Sequence, residues 1–184
     1  MSKMARGLVQ GVSCVLGAHA ITSSRMHDGI PAQKKLAYAF AYLSLGLVDE
    51  AEAELGSLLK EERDSPDTLA IFIDLHMARK AWGLTVDTAR EYTQLRPREE
   101  KGWISWAFAL RELERVQEAR DVLLNAEPLH GKSCALLHYN LACYYCLLGE
   151  MDEARRRLSA SLKMDLSLAE ESKTDPDLKG LGLE

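Results

Sequence analysis

Cysteine, proline, aromatic residues and surplus positive charge are all scarce in this chain, and each shortage excludes something. Four cysteines, Cys14, Cys134, Cys143 and Cys146, are too few to staple 184 residues, and 47% apolar content supplies a core without them. Reduced thiols in a cytoplasmic protein are therefore expected. No apolar run reaches the ~18 residues that a spanning helix needs. Lys and Arg number 23 against 28 Asp and Glu, a formal charge of -5. No basic surplus exists to neutralise phosphates or to hold an anionic bilayer, so neither nucleic acid nor membrane is expected as a partner. Near the start, Lys3 and Arg6 precede a weakly apolar stretch ending in Ala18-His19-Ala20, the outline of a secretion signal. Gln10, Ser13 and the glycines break its apolar centre, which argues against export.

Reactive constellations are also missing. The sequence holds no GxSxG elbow, HExxH pair, GxxxxGK[ST] loop or GxGxxG turn. Its five histidines, His19, His27, His76, His130 and His138, are scattered. Cys134, His138, Cys143 and Cys146 offer four zinc-type ligands within a short span. On a continuous helix, however, Cys143 lies about 180° around and about 13 Å along from Cys134, so the four cannot meet at one ion. They are expected to pack as small apolar residues. Glu50, Glu52, Glu54, Glu61 and Glu62 read as a solvated helix face, and the Arg155-Arg156-Arg157 run reads as pairing with Asp152 or Glu153 at helical spacing. Trp82, Trp103 and Trp106 are expected at packing positions rather than as ligand-stacking groups. No catalytic, cofactor or metal site is expected.

What is present is a repeat. LVDEAEAEL, TVDTAREYT, RVQEARDVL and EMDEARRRL align on Ala51, Ala89, Ala119 and Ala154, with separations of 38, 30 and 35. In three of the four, a small residue stands twelve earlier (Ala39, Ala107, Ala142), a larger one nine earlier (Tyr42, Leu110, Tyr145) and a leucine four later (Leu55, Leu123, Leu158). Gly46 and Gly149 stand five before the alanine. Small residues on both helices of a hairpin let two backbones approach while Tyr and Leu fill the adjoining holes. Glycine ends the first helix in a left-handed conformation, and Asp49, Asp87 and Asp152 open the second where the dipole favours negative charge. One hairpin cannot bury its apolar face alone, whereas a stack can.

This pattern resembles the tetratricopeptide repeat (TPR) family, whose signature runs W-x2-L-G-x2-Y, A-x3-F, P. The last unit fits best, with His138 in the tryptophan slot followed by Leu141, Ala142, Tyr145, Ala154 and Leu158; the third keeps Trp103. The second fits least: counting back from Ala89 puts Met77 in a small slot and Lys80 in an aromatic slot, with Ala78 and Ala81 hinting at a shifted register. The resemblance implies an all-α, right-handed superhelical solenoid of four helix-turn-helix units over residues 32–168 (about 32–65, 66–98, 99–131 and 132–168). It is flanked by an N-terminal helical extension over 1–31 and a capping tail over 169–184. Punctuation predicts helices near 32–45, 48–62, 66–82, 85–96, 99–112, 115–126, 132–148 and 151–165, with Glu127-Pro128 closing the third pair and a short helix after Asp175-Pro176.

In this family the first helix of each unit lines the concave groove. The resemblance implies Gln33, Leu36, Phe40 and Leu43, then Lys101, Ile104, Phe108 and Arg111, then Leu136, Tyr139, Cys143 and Cys146 as groove residues, with Asn140 beside them. Members that clamp a peptide's terminal carboxylate present a Lys/Asn/Arg set there, and this chain offers only Lys101, Arg111 and Asn140. Such a groove suits an apolar or amphipathic segment with Lys101 and Arg111 as polar anchors. Leu8, Val9, Val12, Val15, Leu16 and His19 form a helical stripe of their own, which predicts that residues 4–22 pack either as an end cap or as an exchangeable self-ligand. The leading functional expectation is a non-enzymatic interaction module (scaffold, adaptor or chaperone-like) holding a peptide or amphipathic helix. The alternative is a homo-oligomerisation unit.

Overall fold

The computed structural model describes residues 30–183, and no strand occurs among them. The expected N-terminal helix over residues 4–22 lies outside the described residues. Eight helices pair into four hairpins: α1 (Ala32–Ser44) with α2 (Val48–Gly56), α4 (Pro66–Ala78) with α5 (Trp82–Leu95), α6 (Glu100–Glu112) with α7 (Val116–His130), and α8 (Ala135–Leu147) with α9 (Met151–Met164). A single turn, α3 (Lys60–Arg63), follows α2; α10 (Ala169–Thr174) and two 3-10 turns, Leu166–Leu168 and Pro176–Leu181, follow α9. The first helices pack on one another in succession, α1 on α4, α4 on α6 and α6 on α8. That places them on the inner, shorter wall of a helical repeat solenoid, with the second helices outside.

The true register of the second hairpin differs from the one read off the sequence. Each hairpin turn carries one left-handed residue two positions before its second helix: Gly46 (φ 76°), Lys80 (φ 54°), Glu114 (φ 61°) and Gly149 (φ 81°). Aligned on these turns, the fourth residue of each second helix is Ala51, Thr85, Ala119 and Ala154, fully buried in every case, with separations of 34, 34 and 35. Ala89 is therefore not the equivalent of Ala51. It occupies the slot held by Leu55, Leu123 and Leu158 one helical turn later. The twelve-earlier slot holds Ala39, Ile73, Ala107 and Ala142, all fully buried. The second unit has thus exchanged sizes, with Ile73 and Thr85 where the others carry alanine, and Ala89 where they carry leucine. Such a swap keeps the interhelical volume roughly constant, which is the kind of core change that packing tolerates.

This register moves the helix ends. The α4 helix stops at Ala78 rather than near 82, and α5 begins at Trp82 rather than 85, so it is full length despite Pro97. Glu127-Pro128 does not end α7, which continues to His130. Proline removes the bond to the carbonyl four residues back and its ring crowds that carbonyl, but Pro128 stands exposed in the last turn, where little helix follows it. Beyond it, His130 is buried with Nε2 3.1 Å from the Pro97 carbonyl oxygen, an anchor that holds the last turn in place. The expected helix over 48–62 breaks after Gly56, where Lys35 Nζ donates to the Ser57 carbonyl at 2.8 Å and Arg63 Nη2 to that of Gly56 at 2.8 Å.

The signature tryptophan slot holds Lys35, Leu69, Trp103 and His138. Trp103 Nε1 donates to the Pro97 carbonyl at 2.9 Å, and His138 Nε2 meets that of Gly131 at 2.7 Å, so both tie a first helix to the linker before it. The arginine run pairs as expected: Arg155 with Asp152, Arg156 with Glu153, and Arg157 with Glu153 at 2.9 Å and with Glu127 of the preceding unit.

Lys80 and Glu114 adopt a conformation that costs a non-glycine residue about 1–2 kcal/mol. Lys80→Gly and Glu114→Gly relieve that strain but enlarge the unfolded ensemble, so each is expected to stabilise by about 0.5–1 kcal/mol net. Thermal melting reads the gain; a loss at both positions would mean that the turns are not strained.

Candidate functional site

The wall of first helices is set by one register. Positions 33, 36, 40 and 43 of α1 correspond to 67, 70, 74 and 77 of α4, to 101, 104, 108 and 111 of α6, and to 136, 139, 143 and 146 of α8. The second unit therefore adds Asp67, Ala70, Asp74 and Met77, which the displaced alignment on Ala89 could not supply. Leu36, Phe40, Leu43 and Met77 are half-buried, and so is Phe108, whose ring meets that of Trp82 edge-on with centroids 5.8 Å apart. Ile104 is buried between units, and Leu136 packs half-buried against the same core.

Lys101, Arg111 and Tyr139 on the wall are each committed to a carboxylate of this chain. Lys101 Nζ donates to Asp74 Oδ2 at 2.6 Å, joining α6 to α4, and the Asp74 side chain is only 3% exposed. Burial pushes the Asp74 carboxyl up, while the charge and hydrogen bond of Lys101 pull it back. Arg111 Nε donates to Asp177 Oδ2 at 2.7 Å, and its Nη2 donates to Oδ1 of the same carboxylate. The hydrogen bond to Asp177 is the largest cause holding the Arg111 guanidinium above its usual range, against some desolvation. The Tyr139 hydroxyl donates to Asp175 Oδ2 at 3.0 Å. Burial, followed by the Asp175 charge, pushes the phenol well up.

These last bonds bring the C-terminal segment onto the wall of α6 and α8. Tyr139, Asn140 and Cys143 are buried, and Arg111 is occupied by Asp177. The sequence placed residues 169–184 at the end of the array. In the structure, part of that tail lies across the inner face of the last unit. No signal in the repeat pattern could reveal this, because it depends on the side chains of Asp175 and Asp177 meeting partners 36 and 66 positions away.

Among the described residues, one group of potential metal ligands converges: a Cys143, Asp175 and Asp177 atom each lie within 4.8 Å of one another. Arg111 and the Tyr139 hydroxyl already engage those carboxylates, and a guanidinium is a poor neighbour for a cation. Burial pushes the Cys143 thiol well above its usual range, so it is a poor thiolate donor. The sequence cluster of Cys134 and His138 with Cys143 and Cys146 is not brought together. His138 instead accepts from Arg157 Nη1 through Nδ1 at 3.3 Å, and burial raises the Cys134 thiol to about 12. Among the described residues no helix is long and apolar enough to cross a membrane.

This geometry, four hairpins repeating every 34 to 35 residues, with alanine at the crossings of the first, third and fourth and the first helices on the inner wall, is the solenoid fold of tetratricopeptide-repeat proteins. Solved structures share it. TTC0263, a thermophilic TPR protein of Thermus thermophilus, superposes with a TM-score of 0.65 at 23% identity over 82% of this chain and 86% of its own. MamA from MSR-1 gives 0.65 at 20% identity over 78% and 82%, and MamA from AMB-1 gives 0.63 at 20% over 79% of each. No family model and no curated protein matches the sequence.

Proposed function

We propose that the protein is a non-enzymatic protein-interaction module, a scaffold, adaptor or chaperone-like protein, that holds a peptide or amphipathic helix along the wall of first helices. One observation carries this reading. Leu36, Phe40, Leu43 and Met77 leave the apolar part of the wall half-open over the first two units, while Lys101 and Arg111 further along are paired within the chain. A half-open apolar strip accepts the apolar face of an amphipathic segment. Phe40→Asp with Met77→Asp is expected to reduce partner recovery in affinity capture by about tenfold or more, as loss of central apolar anchors does, with the helical circular dichroism unchanged. Equal recovery from both baits would remove the wall from consideration.

Self-association has its own support. A hollow of about 430 Å³ lies along α9 at the far end of the array, lined by Arg155, Leu158, Leu162, Leu166 and Leu183, with Leu166 76% exposed. A dimer in sedimentation that Leu166→Lys dissociates would favour this second reading.

A further inference from the structure

The end of the chain is held on the wall as a ligand would be. Asp175-Pro176 stops α10, the Asp175 side chain accepts from the Asp177 amide at 2.9 Å, and a 3-10 turn over Pro176–Leu181 ends at Gly182 in a left-handed conformation (φ 61°). Arg111 grips Asp177 through two nitrogens, Tyr139 donates to Asp175, and Leu178 and Leu181 are buried against the last unit. At Gly180 the backbone runs so close that an added Cβ would stand 2.9 Å from Met151 Cε and 3.0 Å from Cys146 Sγ.

The wall is specialised where this turn sits. At the register of Arg111 the other units carry Leu43, Met77 and Cys146, and at that of Tyr139 they carry Leu36, Ala70 and Ile104. The arginine and the phenol are each unlike the rest of their row, and both are aimed at the two aspartates. A short 3-10 turn has poor internal hydrogen bonding, so its shape depends on what it is docked to.

We propose that Arg111 and Tyr139 form a binding site for an acidic-apolar turn of the form Asp-x-Asp-Leu on a partner protein, and that residues 175–181 occupy this site as a built-in competitor. The proposal rests on the interaction-module reading above and names the chemistry of the partner. Charge complementarity sets the class: a bidentate arginine selects a carboxylate, and the pocket filled by Leu178 selects a leucine at the next position. An incoming turn replaces the bonds that it displaces, so exchange is governed by concentration rather than by new contacts.

The test uses the full chain and a labelled synthetic peptide of residues 172–183. The Asp175→Asn/Asp177→Asn chain, its own turn weakened, is expected to bind the peptide about tenfold or more tightly than the wild type. A peptide with both aspartates changed to asparagine is expected not to bind, and adding Arg111→Ala to the chain is expected to abolish binding. No binding by a variant that keeps the helical signal and cooperative melting overturns the proposal. So does a wild-type dimer that excess peptide dissolves, since the site would then belong to a second copy. If the variant does not fold, hydrogen exchange on the wild type decides: peptide must deprotect the amides of 177–182 while α8 stays protected, and unchanged protection overturns the idea. Failure here leaves the wider reading standing if capture still depends on Phe40 and Met77, and that reading fails separately if it does not.

Discussion

Lys101→Met is expected to lower stability by about 3–5 kcal/mol at neutral pH, because it leaves the Asp74 carboxylate buried without its cation. The pair joins neighbouring first helices at 2.6 Å, so the loss falls on the contact between the second and third units. Burial already raises the Asp74 carboxyl, and Lys101 supplies both influences that lower it. Without Lys101 it rises further. An acid whose folded pKa exceeds its unfolded value holds its proton more tightly in the folded state, so the penalty is full above the raised folded pKa and fades as pH falls toward the ordinary value of 3.8. The melting deficit of Lys101→Met against the wild type should therefore shrink as pH falls from neutral toward 3.8. Adding Asp74→Asn should restore most of it at neutral pH, since the uncompensated charge is gone. A deficit that is flat with pH would mean that the aspartate is hydrated and the pair is an ordinary surface contact.

Leu178→Ala is the second large effect, an expected loss of about 2–4 kcal/mol by truncating a side chain that is 1% exposed. The comparison is Leu166→Ala, at an exposed position twelve residues earlier, expected within about 0.5 kcal/mol of the wild type. Denaturant unfolding of both variants measures the contrast. If Leu178→Ala proves as mild as Leu166→Ala, the C-terminal turn is not packed on the array in solution. That result would remove the physical basis of the occupied site.

The first, third and fourth hairpins were legible because their crossings use the smallest side chain: Ala39 with Ala51, Ala107 with Ala119, and Ala142 with Ala154 announce close approach by composition alone. The second hairpin was not, because Ile73, Thr85 and Ala89 exchange large and small among slots that only the folded pair defines. An alignment seeking alanine then settles on Ala89, one helical turn too late. The turn residues gave no help either, since Lys80 and Glu114 take the left-handed conformation at positions where Gly46 and Gly149 advertise it.

Of the wall, the apolar row of Leu36, Phe40 and Leu43 was implied by the resemblance to the repeat family. The fates of Lys101, Arg111 and Tyr139 did not follow from it. Periodicity says which face of a helix a residue shares, but not which distant carboxylate will reach it. Local spacing of small and large side chains by itself determined that this chain stacks helical hairpins with a common inner face, because that packing is a nearest-neighbour property repeated about every 34 residues. Only the tertiary structure decided how much of that face stays open, because closing it required Asp175 and Asp177 to fold back across the last unit and find Tyr139 and Arg111.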